Sequence, residues 1–377
     1  MPPAVHSFGI EEEFFLVHPR SRQLVRRVPT GLLRECQRRA GRVVCAELLQ
    51  SQLEVASPVF ETSAQAREQL PALRRAVAGV AESMDYRLVA AGTHPLARWQ
   101  GQKATRQARY AQLMEDFQIV GRRNVLCALH VHCAVPAGVD RVQLMNRLMP
   151  WLPVMLALST SSPFWERHPT GLMSYRQAAY DEWPRTGIPD HFQDQDEYDR
   201  FAALMAGQGA IPDASFLWWA IRPSLAHPTL ELRICDSCTR VEDTLALAAL
   251  FRCLVHAHLA NPELGAARSA MSRRVIDENR WRAKRWGTAA TWVDEQADAP
   301  VAFGSRLDAM LAMLGESASR LDCEPELARV RAIATHGTSA HRQLEVYGLR
   351  CEAGDSRAAA LRAVVDWLIA TTLAPAP

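Results

Sequence analysis

Four short segments of the chain share one alternation of aliphatic and charged positions. In Ile10-Glu11-Glu12-Glu13-Phe14-Phe15, Glu11 and Glu13 stand two apart. They therefore share one face of a strand, because strand side chains alternate with period two. In Gln52-Leu53-Glu54-Val55, Glu54 opposes Leu53 and Val55; in Leu129-His130-Val131-His132, both imidazoles oppose the aliphatics. In Leu230-Glu231-Leu232-Arg233-Ile234, Glu231 and Arg233 share a face opposite three branched aliphatics. The pattern predicts an antiparallel sheet with one face on the core and one face open.

Helical spacing appears between these strands. Leu70, Leu73, Val77, Val80 and Met84 predict a helix over Ser63 to Asp85, capped by Thr62 or Ser63. Val139 to Leu158 is a second candidate, which Pro150 and Pro153 should kink or split. Val241 to Leu259 is a third, apolar enough to lie in the interior, and several helices follow from about Ser305 to the C-terminus. The last of them buries Ala359, Leu361, Val364, Val365, Leu368 and Ile369. The Pro/Ala tail from Thr372 to Pro377 is expected to fray.

A strand's polar face ordinarily does no more than meet water, but such faces favour Thr, Lys, Gln and Ser. Glutamate is a poor strand former, and paired carboxylates repel unless a cation lies between them. Several carboxylates with one or two histidines suit a hard divalent cation, magnesium or manganese rather than zinc, since no cysteine joins the set. Magnesium held in this way completes its shell with water and substrate phosphates, which points to phosphoryl chemistry on a nucleotide.

Composition narrows the alternatives. The 377 residues are 48% hydrophobic and 22% charged, with a formal net charge of +2, so the basic excess of a nucleic-acid or membrane-surface protein is absent. Met1-Pro2-Pro3-Ala4-Val5-His6 lacks the form of a secretory signal, and the most apolar run, Leu245 to Ala260, is broken by Arg252, His256 and His258. Nine irregularly spaced cysteines read as reduced thiols of a cytoplasmic protein. Cys235-Asp236-Ser237-Cys238 is a lone CxxC without a second pair to complete a zinc tetrad.

The chain has neither a G-x-x-x-x-G-K-[ST] loop nor a G-x-G-x-x-G turn, so bound ATP would rely on metals and Arg/Lys side chains. Asn279-Arg280-Trp281-Arg282-Ala283-Lys284-Arg285-Trp286 offers such a cluster, although a basic surface helix with tryptophans under it explains it equally well. Ser161 to Gly187 is long, irregular and rich in Ser, Pro, Gly, Trp and Arg, a kind of segment usually kept for function. Its Arg176 and Arg185 are candidate forks for a substrate carboxylate.

Six ordered motifs then converge: Gly9 to Phe14, Leu53 to Pro58, Gly92-Thr93-His94-Pro95, Leu129 to His132, Ser161-Ser162-Pro163-Phe164-Trp165 and Thr229 to Arg233. Together they resemble the carboxylate–amine ligases of the glutamate–cysteine ligase type 2 family, from about His6 to Leu368. The resemblance implies an α+β, glutamine-synthetase-like fold: a curved antiparallel sheet with helices packed on its back, in a single catalytic domain over 1–377. It implies ATP and magnesium (manganese as an alternative), small-molecule carboxylate and amine substrates, and a homodimer. Carried over, Glu11, Glu13, Glu54 and Glu231 match metal carboxylates, His130 a metal-site histidine and, more loosely, Glu47 an acidic ligand. Arg233 would face the transferring phosphate, with Arg185 as a second catalytic candidate, and Arg282, Lys284 and Arg285 would contact ATP. The implied reaction activates a carboxylate as an acyl phosphate and couples it to an amine, glutamate to cysteine in the family's name. Three other readings make different demands. A phosphotransferase of the same fold would give a phosphorylated product and no amide, a metal hydrolase would need no ATP, and a metabolite sensor would turn nothing over.

Overall fold

The computed structural model describes residues 6–266 and 269–374. The expectations for Met1 to Val5 and for Pro375 to Pro377 lie outside these residues. The strands are β1 (Phe8–Val17), β2 (Val44–Ala46), β3 (Gln52–Ala56), β4 (Arg87–Val89), β5 (Ala128–Ala134), the short hairpin β6 (Phe164–Trp165) and β7 (His168–Pro169), β8 (Ile221–Pro223), β9 (Thr229–Asp236) and the short pair β10 (Thr291–Trp292) and β11 (Val301–Ala302). The helices are α1 (Leu32–Ala40), α2 (Ser63–Ser83), α3 (Ala108–Arg122), α4 (Arg141–Leu148), α5 (Leu152–Ser159), α6 (Tyr175–Tyr180), α7 (Gln195–Gly207), α8 (Val241–Ala260) and α9 (Ala270–Trp286). They continue as α10 (Phe303–Met313), α11 (Gly315–Arg320), α12 (Glu324–His336), α13 (Ser339–Glu352) and α14 (Arg357–Thr372).

The main sheet is antiparallel, in the order β2-β3-β1-β5-β9-β8, with β4 on the far end of β1. This is the α+β arrangement expected, and alternation explains it. Ile10, Leu129, Val131, Leu230 and Leu232 bury their side chains in one core with Leu247, Phe251 and Leu254 of α8. Phe14, Leu16, Leu53 and Val55 pack on Val77, Val80 and Ala81 of α2. Beyond Glu13 the opposite face of β1 also closes, because Phe15 and Val17 meet Leu361, Val364 and Leu368 of α14. The open part of the sheet is thereby limited to the stretch that carries the charges.

Helix boundaries follow local chemistry. Thr62 and Gln65 form a reciprocal capping box at the start of α2. Pro150 and Pro153 do split the second helical region, into α4, a 3₁₀ turn at Met149–Trp151, and α5. α8 is long and apolar enough to cross a membrane, yet 72% of that window is buried inside the fold, as the core helix its composition predicts.

Candidate active site

Strand register lays the charges out in a row across five strands. Glu54 on β3 stands opposite Glu13 on β1, Glu11 on β1 opposite His130 on β5, and His132 on β5 opposite Glu231 on β9. Arg222 on β8 follows, opposite Glu231. Glu47 joins from the turn after β2. All of these line one cleft of about 600 Å³, together with Arg176, Arg233, Tyr110, Tyr180, Trp183 and Trp218.

Among the described residues two groups of potential metal ligands emerge, each with one ligand atom per residue within 4.8 Å of the others: Glu13, Glu47 and Glu54; and Glu11, His132 and Glu231. Their electrostatics differ. In the first group burial raises all three, adding to neighbouring carboxylates at Glu13 and Glu54 and outweighing the Leu48 N–H bond at Glu47; Glu13 is pushed up to about 8, by burial and by Glu47. Three crowded acids without enough cation suit a hard divalent ion, whose charge would return them to carboxylates. In the second group, burial works against Glu11, but hydrogen bonds from His130 and His132 hold its carboxyl well below the usual range. Glu231 is likewise low despite its burial, because Arg233 and Arg222 ion-pair with it. His132 is raised although burial opposes it, chiefly through Glu11, whereas burial and then Arg233 push His130 down to about 4. The donor sets fit divalent cations, all oxygen in one group and oxygen with one imidazole in the other.

The expected histidine was His130, but the three-atom group contains His132. His130 contacts Glu11 from the β5 side at 3.2 Å. The pairing of β5 with β9 shifts register between Leu129 and Val131, and His132 falls opposite Glu231.

Arg176 lies on α6, at the floor of the cleft. It is 3% exposed, and its Nε and Nη1 have no hydrogen-bond acceptor. A buried guanidinium left in this state is costly unless an anion completes it. Beneath it, Asp236 accepts from Ser161 N at 3.0 Å, Ser162 Oγ at 2.6 Å and Ser174 Oγ at 2.8 Å, with Arg176 Nη1 at 3.9 Å. Gly92 is required at this point, since a Cβ would lie 2.7 Å from Asp236 Cγ. Two of the sequence motifs thus meet around one buried carboxylate that supports Arg176. The flanking cysteines, Cys235 and Cys238, are buried free thiols. Arg233 pairs with Glu231 and reaches Tyr180 Oη at 3.4 Å.

Four expected residues fall outside the cleft. Arg185 turns away: its Nε donates to Phe216 O at 3.1 Å and its guanidinium lies over Trp218, behind the aromatic wall. α9 packs on α5 with Ala283 and Lys284 inward. Lys284 is therefore tied to Asp181 at 2.7 Å, while Arg282 pairs with Glu278 at 2.9 Å and Arg285 lies exposed over Trp286. Trp281 and Trp286 remain 44% and 41% exposed, not tucked beneath the helix. Conversely, Arg222 was not anticipated from the sequence, because its strand spans only three residues.

Comparison with known proteins agrees with this geometry. A family model described as glutamate–cysteine ligase family 2 matches residues 7–366. A relative from Ectopseudomonas mendocina (strain ymp), named "Putative glutamate--cysteine ligase 2", is 45% identical over 97% of this chain and 97% of its own. One of the same name from Bradyrhizobium sp. (strain ORS 278) is 44% identical over 98% and 89%. Among solved structures, a bifunctional glutathione synthetase from Pasteurella multocida superposes with a TM-score of 0.70 at 13% identity, covering 97% of this chain and 52% of that longer one. A glutamate–cysteine ligase from Francisella tularensis, in complex with AMP, gives 0.68 at 10% identity, covering 97% and 90%. At such identities the structural likeness establishes the fold.

Proposed function

The chain belongs to glutamate–cysteine ligase family 2, and on that premise we propose that it is an ATP-dependent carboxylate–amine ligase acting as one catalytic unit. The acid and amine suggested by the relatives' names are glutamate and cysteine, and the γ-carboxylate of glutamate is the group proposed to react. The observation that carries the reading is the half-buried trio Glu13, Glu47 and Glu54, set in the same cleft as the unsatisfied guanidinium of Arg176.

A carboxylate does not react with an amine at neutral pH, because oxide is not a leaving group. Transfer of the γ-phosphoryl group of ATP to a carboxylate oxygen makes an acyl phosphate and ADP. The amine nitrogen then attacks the acyl carbon, and phosphate departs with one former carboxylate oxygen. Divalent cations held by Glu13, Glu47 and Glu54 and by Glu11, His132 and Glu231 would supply charge neutralisation at the phosphates. The chain's own cations do the rest. Arg233, fixed by Glu231 and Tyr180, presents a positive charge on the metal face. Arg176, supported by Asp236, receives the carboxylate of the acid substrate through its free N–H groups.

The proposal requires that phosphate release from ATP depend on magnesium, acid and amine together. A matrix of acids and amines assayed for phosphate tests it, and turnover that persists without either organic substrate counts against a ligase. Arg176→Lys should raise KM for the acid by roughly 10–100-fold, since a point charge replaces a fork of charged donors. Its KM for ATP should change much less, as measured by steady-state kinetics with each substrate varied in turn.

A further inference from the structure

Arg185 was singled out by the sequence and excluded from the cleft by the fold. It lines a second, smaller cavity of about 290 Å³ with Arg273, Arg280, Gly187 and Trp183, and Trp183 is also a wall of the main cleft. We propose that this cavity is a binding site for a small oxyanion, a phosphate or a carboxylate, separate from the metal face.

Three observations carry the proposal. Arg280 has a side chain only 8% exposed, and its Nε has no acceptor, although Nη2 reaches Asp181 and donates to Gln177 Oε1 at 3.1 Å. A buried charged donor without a partner is a site awaiting one. Arg185 takes no carboxylate partner among the described residues; its Nε donates to Phe216 O and one face of its guanidinium lies over Trp218, which leaves the in-plane N–H groups of its terminal nitrogens without an acceptor. It is also held at φ +60, a conformation that a non-glycine residue adopts at some cost. Gly187 turns the wall at φ +77, a conformation that favours glycine, beside Arg280 Nη1.

The two carboxylates of the wall do not cancel this charge. Asp181 is shared by Arg280 and Lys284, and Asp277 is paired with Arg273 at 2.6 Å. The guanidinium of Arg185 is left over, and a guanidinium fork matches two oxygens of a phosphate or carboxylate. The volume suits an ion of a few heavy atoms and is smaller than most sites for larger ligands.

Isothermal titration of inorganic phosphate into the full chain tests the proposal, with acetate in a parallel titration to distinguish the two oxyanions. Saturable binding of either ion is expected, about tenfold or more weaker in Arg185→Ala and intermediate in Arg185→Lys. Arg176→Ala removes any anion binding in the main cleft and should leave the Arg185-dependent binding in place. No saturable binding of either ion, or binding lost in Arg176→Ala and retained in Arg185→Ala, would overturn the proposal. Neither result depends on the ligase activity, so the site and the proposed reaction can fail separately.

Discussion

Glu54→Gln is expected to reduce magnesium-dependent turnover by roughly 10³-fold or more, because charge stabilisation worth several kcal/mol is removed with the ligand. Its effect on stability should have the opposite sign when no cation is present. Glu54 is raised well above the ordinary carboxylate range, first by burial and then by Glu47, Glu11 and Glu13. A carboxyl raised in the folded state contributes stability that is lost as pH rises through its folded value. Glu13 places that loss on the way to about pH 8. In chelator, then, the wild type should melt at lower temperature at pH 8 than at pH 6, and Glu54→Gln should reduce the difference. Added magnesium should raise the wild-type melting temperature and leave that of the variant nearly unchanged. Thermal melts at the two pH values, with and without magnesium, measure both effects.

Arg74→Ala should be the most destabilising single change outside the cleft. Glu12, which points away from Glu11 and Glu13, meets Arg74 of α2 in a fully buried ion pair. Arg74 Nε donates to Glu12 at 3.0 Å, and its other nitrogens reach Thr239 O at 2.9 Å, Cys238 O at 2.8 Å and Thr244 Oγ1 at 3.0 Å. Removing the cation strands a buried carboxylate, at a cost of about 3–5 kcal/mol. Glu12→Leu combined with Arg74→Met should recover much of that loss, because neither charge is then left alone. Denaturant midpoints of the wild type and the two variants read this out directly. The pair also anchors β1 on the helical layer, so the same loss should reach Glu11 and Glu13 through the strand that carries them.

What the sequence made legible follows from the range of the interactions involved. Glu11, Glu13, Glu54 and Glu231 could be read because alternation within one strand decides which way a side chain points. His130 and His132 could not be separated in that way. They share a face, and only the register shift between β5 and β9 sets His132 against Glu231. Asp236 was hidden inside a CxxC whose cysteines drew attention, and its partners Ser161, Ser162 and Ser174 come from another part of the chain. Arg185 and the cations of α9 had the right chemistry and the wrong place. Which face of α9 turns inward is set by its packing on α5, and composition carries no record of it. Alternation places Glu12 on the face opposite Glu11 and Glu13, but its partner Arg74 lies in another element, and only the fold shows the buried ion pair.

The central claim is that the acidic sheet face supports activation of a carboxylate by ATP before an amine attacks. The most direct measurement uses acid substrate labelled with ¹⁸O in its reacting carboxylate, whichever acid supports turnover in the presence of magnesium, ATP and amine. The account predicts one labelled oxygen in the released phosphate for each amide formed. Amide formation accompanied by unlabelled phosphate would contradict it.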